Sequence, residues 1–230
     1  LCSLLEAGIT FDANGKPTNP FEDMDHRRGR FLLGKWGPNH AADPILTTDP
    51  VEPGGHYRVL VIIRGDCGLP ALPGGMIDDE EDVDGRGFTR AIQREIVEEA
   101  MLPSVAVKNA LAQGTAVYTG YVHDPRNSLN AWIETIAVWA HISGADAEAL
   151  HLRPAADGET RSSYWMDLTD DNIASLYASH PTWVRGVRDK LVGAQDAQRH
   201  DPVIESPADT GCSATPHGAN ELVGFDVFLD

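Results

Sequence analysis

The sequence predicts an α/β sandwich built around a mixed β-sheet. Three observations carry that prediction. Tyr57 to Arg64 (YRVLVIIR) is a continuous, β-branched run of the kind that forms a central strand buried on both faces. Trp132 to Ile142 alternates in part, through Ile133, Thr135 and Ala137, and is long enough to cross a sheet. Between these runs Phe88, Ile92 and Ile96 recur every four residues, the spacing of an apolar stripe on a helix. Strands interleaved with two or three helices pack in layers around one sheet.

Taken in order, residues 1–30 are polar and turn-rich, with turn signals at Asn14-Gly15-Lys16-Pro17 and Asn19-Pro20. They read as a lead-in, the remnant of a missing upstream region, because the chain begins at Leu1. Residues 31–47 are expected to be an irregular, mostly buried approach to the sheet. Cys67-Gly68 punctuates the first strand, with Cys67 expected to be a buried thiol. Leu72-Pro73-Gly74-Gly75 makes a tight loop. The striped helix should run from Gly87 to Met101, with Pro103 helping to stop it. Ala116–Tyr121 and Tyr164–Met166 read as further strands, and 143–162 as a polar loop. Asp170 or Asp171 is expected to cap one helix towards His180, and Thr182 another through Val192. The folded domain is therefore expected over 31–194. Residues 195–230 turn rich in Asp, Ser, Pro and Gly and are expected to be a disordered tail.

The 230 residues suffice for one sizeable domain and a tail. The formal net charge of −17 argues against nucleic-acid binding, because such a surface repels phosphate backbones. It also repels small anionic substrates unless bound cations and a few arginines reverse the local field. No apolar run approaches 18 residues, so no membrane insertion is expected of this stretch. Cys2, Cys67 and Cys212 are odd in number and far apart, which gives neither a disulfide framework nor a zinc spacing. That usage points to a reducing, intracellular compartment.

The chemistry concentrates in Arg94-Glu95-Ile96-Val97-Glu98-Glu99. On a helix Glu95, Glu98 and Glu99 share one face. Like charges so placed cost about 0.2–0.5 kcal/mol per pair, so a helix that keeps all three is expected to hold something positive, most simply a divalent metal. The bland alternative is a solvated acidic helix face. The run Asp78–Asp84 holds six acidic residues in seven and reads as an exposed loop.

Gly75, Glu81 and the Arg94-Glu95-Ile96-x-Glu98-Glu99 run, closed by Leu102, resemble the Nudix box G-x5-E-x7-R-E-U-x-E-E-x-G-U, where U is aliphatic. Two departures stand out. Twelve residues rather than seven separate Glu81 from Arg94, and Met101 replaces the box glycine. Further segments narrow the resemblance: Gly34 to Ile45 (GKWGPNHAADPI), Gly120 to Asn127 (GYVHDPRN), Asn130-Ala131-Trp132 and Leu176 to His180 (LYASH). In this order they are similar to the ADP-ribose pyrophosphatase subfamily of Nudix hydrolases. They are also similar to the homologous C-terminal domain of ADP-ribose-gated melastatin-type cation channels.

The resemblance implies a Nudix α/β/α sandwich that hydrolyses ADP-ribose to AMP and ribose 5-phosphate with Mg2+ or Mn2+. It implies that Glu95, Glu98 and Glu99 coordinate metal together with the Gly75 carbonyl, and that Arg94 braces a box glutamate. Glu95 or a carboxylate from a later loop would be the general base. Asp124 and Arg126 would grip the terminal ribose, while Trp36, Trp132 or Tyr121 would stack on adenine. A core or pocket-wall role is the simpler reading of both tryptophans, and a structural hydrogen bond that of His40 and His180. The rival function is an ADP-ribose sensor fused to a channel upstream; the complete set of box carboxylates favours turnover.

Overall fold

The computed structural model describes residues 3–6, 8–21, 27–77, 90–94, 96, 105–152 and 160–200. A short hairpin of β1 (Thr10–Phe11) and β2 (Pro17–Thr18) precedes the main sheet. The sheet is built from β3 (Gly37–Thr48), β4 (Arg58–Arg64), β5 (Pro70–Ala71), β6 (Gly75–Met76), β7 (Thr115–Val122), β8 (Ala131–Ile142) and β9 (Thr160–Asp167). The helices are α1, described at 90–94 and 96, then α2 (Val105–Ala112), α3 (Gly144–Glu148), α4 (Asp170–Ala174) and α5 (His180–His200).

The sheet is mixed, as expected. Its spine is the parallel pair β3–β8, in register from Gly37↔Ala131 to Thr48↔Ile142. β7 runs antiparallel to β8, and β9 antiparallel to β4. Side chains alternate between two cores. Ala41, Ile45, Val59 and Val61 face α4 and α5, through Ile173, Trp183, Val184 and Val187. Ala42, Leu46, Leu60 and Ile62 face α1, α2 and α3, through Ile92, Ile96, Val107, Leu111 and Ala147. The sheet is thus covered on both faces, which is why β4 reads as an unbroken apolar run.

One feature of the topology makes room for a site. β4 meets β3 only at Thr47↔Val59 and Thr48↔Arg58, then diverges. Beyond that point β5 pairs with β4, at Ile62↔Ala71, while β6 pairs with β3, at Ala42↔Gly75. The loop Leu72–Gly74 therefore crosses the opening between two splayed central strands.

Several expectations need correction. Residues 37–48 are not an irregular approach but a twelve-residue strand. GPNHAADPILTT contains few β-branched residues and a proline, which masks the strand signal. Pro44 is tolerated because β6 and β4 leave that edge of β3 uncovered between Ala42 and Thr47, so no ladder bond is lost. Helix α3 lies where a loop was expected, and its start is capped by the Ser143 hydroxyl, which accepts from Asp146 N–H. Thr169, not Asp170 or Asp171, caps α4 by accepting from Asn172 N–H. α5 starts at His180, before Thr182, with Pro181 in its first turn where a missing N–H costs nothing. It continues to His200, past the boundary expected at 194. Cys67 is exposed, in the turn after β4.

The described part of the lead-in is bonded to the sheet. Asn19 N–H donates to Leu129 O, and Asn130 Nδ2 donates to Pro17 O. Ser3 Oγ and Leu4 N–H both donate to the buried Glu134 carboxylate. Among the described residues no helix is long and apolar enough to cross a membrane. The Asp78–Asp84 run, the tail from 201, and Cys2 and Cys212 lie outside the described residues.

Candidate active site

A cleft of about 770 Å³ opens where β3 and β4 part. Ala41, Ile62, Leu72 and Ile133 give it an apolar floor, and charged groups from five segments surround it. Four of the residues expected to carry the chemistry line it together: Gly75, Arg94, Asp124 and Arg126. Glu95, Glu98 and Glu99 lie outside the described residues, as does Glu81. The helix that carries Arg94 is anchored by Ile92 and Ile96, both buried in the core beneath it.

The turn after β7 builds the first charged element. Asn127 N–H donates to Asp124 O and closes the turn. The Asn127 side chain is fully buried; its Nδ2 donates to Val122 O and to the Tyr121 hydroxyl, and its Oδ1 accepts from Ile133 N–H. That bracing fixes the geometry of the neighbouring pair. Arg126 donates from Nε to Asp124 Oδ1 at 2.8 Å and from Nη2 to Oδ2 at 2.9 Å, and its backbone N–H donates to Oδ1 at 2.8 Å. Burial opposes the charge on Asp124, yet these bonds hold its pKa below the usual carboxylate value. The same hydrogen bond raises the pKa of Arg126. Asp124 is buried, whereas the Arg126 side chain is 40% exposed. With three donors already on its carboxylate, Asp124 acts first as the brace for Arg126, and the guanidinium is the group presented to a ligand.

The glycine loop is held from three sides. Arg94 Nη2 donates to Met76 O at 3.0 Å. Leu72 N–H donates to His180 Nδ1 at 3.0 Å. A Cβ at Gly74 would fall 2.5 Å from Asp43 Oδ1 and 2.9 Å from Ala42 O, so only glycine lets the loop lie this close to β3. Because His180 accepts at Nδ1, its neutral ring carries the proton on Nε2, which faces Asp43 Oδ1 across 3.9 Å. Burial and the charge of Arg64 push the pKa of His180 down to about 3. Burial pushes Asp43 up to about 6, against the Thr135 hydroxyl, which donates to Oδ2 at 2.5 Å.

The tryptophans do not join them. Trp132 is fully buried, and its Nε1 donates to Glu134 Oε1 at 2.8 Å. Burial of its ring corrects the stacking role that the resemblance implied. Trp36 lies away from the cleft, with Lys16 Nζ 4.2 Å from its ring centroid. Tyr121 is buried against Phe21, and its hydroxyl accepts from Asn19 and Asn127. The aromatic rings that do line the cleft are Tyr177 and Trp183. Sequence reasoning missed Asp43, Arg64 and Tyr177 as site residues. A usable signal existed for Arg64, which sits at the carboxyl end of a central strand, where open α/β sheets bind ligands.

No family model matches the chain. It is 37% identical over 202 residues to the mitochondrial ADP-ribose pyrophosphatase of Rattus norvegicus, across 77% of this chain and 55% of that protein. It is 36% identical over 172 residues to putative nudix hydrolase 6 of Caenorhabditis elegans, across 74% of this chain and 62% of that protein. It is 34% identical over 203 residues to the transient receptor potential cation channel subfamily M member-like 2 of Nematostella vectensis, across 80% of this chain and 12% of the channel. The chain therefore spans little more than half the length of the two hydrolase relatives and a small part of the channel. These similarities place the chain among the Nudix hydrolases, with an ADP-ribose pyrophosphatase among its relatives, and Gly75 and Arg94 of the box motif both line the cleft.

Proposed function

We propose that the protein hydrolyses the pyrophosphate bond of ADP-ribose, giving AMP and ribose 5-phosphate, with Mg2+ or Mn2+ bound. The observation that carries this reading is the meeting of Gly75 and Arg94 with the braced Arg126 in one cleft. Box and sugar-binding segment lie far apart in sequence, and a pyrophosphate substrate needs both at once.

The donor chemistry fits a hard divalent cation. Beside Gly75 a Cβ on Gly74 would fall 2.5 Å from Asp43 Oδ1 and 2.9 Å from Ala42 O, so a carboxylate and a backbone oxygen, donors such an ion takes, lie against this loop. Glu95, Glu98 and Glu99, with the Gly75 carbonyl, would hold the ion. When bound, it neutralises non-bridging oxygens and lowers the pKa of a water. The chain's own residues do the rest. Arg126 donates to sugar hydroxyl or phosphate oxygens, Asp124 fixes its fork, and the apolar floor excludes bulk water. The general base is a carboxylate, Glu95 or one from a later loop. The unbroken set of box carboxylates supports turnover over a sensor role.

Purified protein should release AMP from ADP-ribose with Mg2+ and stop when the metal is chelated. Arg126→Ala should raise KM for ADP-ribose more than for ADP-glucose. Equal effects on the two substrates would argue against a contact to the terminal ribose.

A further inference from the structure

A second guanidinium in the cleft is built as carefully as the first. Arg64 ends β4 and donates from Nε to Asp66 Oδ1 at 3.0 Å and from Nη2 to Oδ2 at 2.8 Å. Asp66 is itself fixed, because Oδ1 also accepts from Cys67 N–H at 2.7 Å. The guanidinium lies 4.5 Å from the Tyr177 ring centroid, and Tyr177 N–H donates to Pro70 O, which holds that ring in place. Arg64 is 29% exposed and lines the cleft.

The two forks line the same cleft, together with Tyr177. Each guanidinium is paired with its own aspartate, which offsets the repulsion between the two and fixes both forks in place for an anion. The chain as a whole carries a net charge of −17, whereas among the described residues three arginines match three aspartates around this cleft, which makes it far less repulsive to an anion than the protein at large. Each aspartate engages Nε and Nη2, which leaves Nη1 of each fork for a ligand. Asp43, Asp124 and Asp66 are the carboxylates lining this cleft among the described residues, and Asp124 and Asp66 are committed to the forks.

We propose that Arg64 is a specificity-determining residue that grips, with Arg126, the phosphate of the ribose 5-phosphate half of the substrate. The inference rests on the ADP-ribose reading, since it is Arg126 that assigns this end of the cleft to the terminal sugar. Tyr177 forms the shelf on which the Arg64 fork lies.

The test uses the full chain with metal chelated, titrated calorimetrically with ribose 5-phosphate, AMP or neutral ribose. Arg64→Gln should weaken ribose 5-phosphate binding by about tenfold or more, because charge-assisted contacts to a phosphate are lost. Binding of AMP and of ribose should stay within about twofold. Arg64→Lys, which keeps the charge and loses the fork, should fall between, and serves if the Gln variant does not fold. Arg188→Gln, far from the cleft on α5, should bind as wild type does. Unchanged affinity for ribose 5-phosphate in Arg64→Gln and Arg64→Lys overturns the proposal. So does an equal loss of AMP binding, or a wild type that does not bind ribose 5-phosphate. ADP-ribose turnover by the metal-loaded wild type is measured separately. Turnover with no Arg64 effect sinks this assignment only, whereas absent turnover sinks the reaction.

Discussion

Gly74→Ala should damage stability and turnover together, and the structure sets the size of both effects. The new methyl group would sit 2.5 Å from Asp43 Oδ1 and 2.9 Å from the Ala42 carbonyl oxygen. The second neighbour is backbone in a central strand and cannot yield cheaply. The first is a side chain, but its Oδ2 already accepts from the Thr135 hydroxyl, so swinging it away breaks a half-buried hydrogen bond. Gly74 is not among the residues with a left-handed backbone, so the cost is steric. Overpacking of this kind costs about 1–3 kcal/mol. The loop would relieve the clash by shifting away from β3 and taking Gly75 with it. A displacement near 1 Å at a positioning loop lowers kcat by roughly a hundredfold. Urea denaturation of chelated protein reads the first effect, and ADP-ribose turnover the second. Asp43→Ala in the Gly74→Ala background removes the nearer contact only, and should show a coupling energy of about 0.5 kcal/mol or more. If Gly74→Ala unfolds within about 0.5 kcal/mol of wild type and keeps full kcat, the close packing of this loop on β3 has no functional meaning.

Two further predictions concern buried groups. Trp132→Phe removes one donor from the fully buried Glu134 carboxylate and should cost about 1–3 kcal/mol in urea denaturation. Its KM for ADP-ribose should stay within about twofold, and a large KM rise at unchanged stability would return the indole to the substrate. His180 and Asp43 should tilt stability with pH in opposite directions. The folded protein keeps His180 neutral down to about 3, against 6.5 for an ordinary histidine, so its contribution is complete above 6.5 and is lost as pH falls. It keeps Asp43 protonated up to about 6, so that contribution is present below 3.8 and is lost as pH rises through 6. Between pH 4 and 6 the two slopes cancel. Asp43→Asn should therefore make metal-free protein lose about 2 kcal/mol between pH 6 and pH 4, and His180→Gln should make it gain stability over the same interval. Parallel pH profiles for the two variants would contradict the assignment.

What could be read from the sequence follows from how local each signal is. The Leu72–Gly75 loop, the Arg94 run and Asp124–Arg126 are contiguous motifs, so they announce themselves, and folding brings Gly75, Arg94, Asp124 and Arg126 to one cleft. The strand Arg58–Arg64 is equally plain, being β-branched and buried on both faces. β3 is not, because its burial rather than its propensity makes it a strand, and Pro44 hides it further. Arg64, Tyr177 and His180 acquire meaning through partners reached only by folding. The bond between His180 and Leu72 spans 108 residues, and no local pattern encodes it. Trp132 shows the opposite error. An indole in a motif suggests a stacking surface, yet its N–H completes the shell of a buried carboxylate two residues away.

The central claim is that the acidic residues of the box, next to Arg94, serve an ion that acts on a diphosphate bridge. Single-turnover and steady-state hydrolysis of ADP-ribose by Glu98→Gln and Glu99→Gln test it most directly. Either substitution should lower kcat roughly a thousandfold, about 4 kcal/mol of transition-state stabilisation, while ribose 5-phosphate still binds to chelated protein. Rates equal to wild type in both variants would contradict the metal assignment and the reaction built on it.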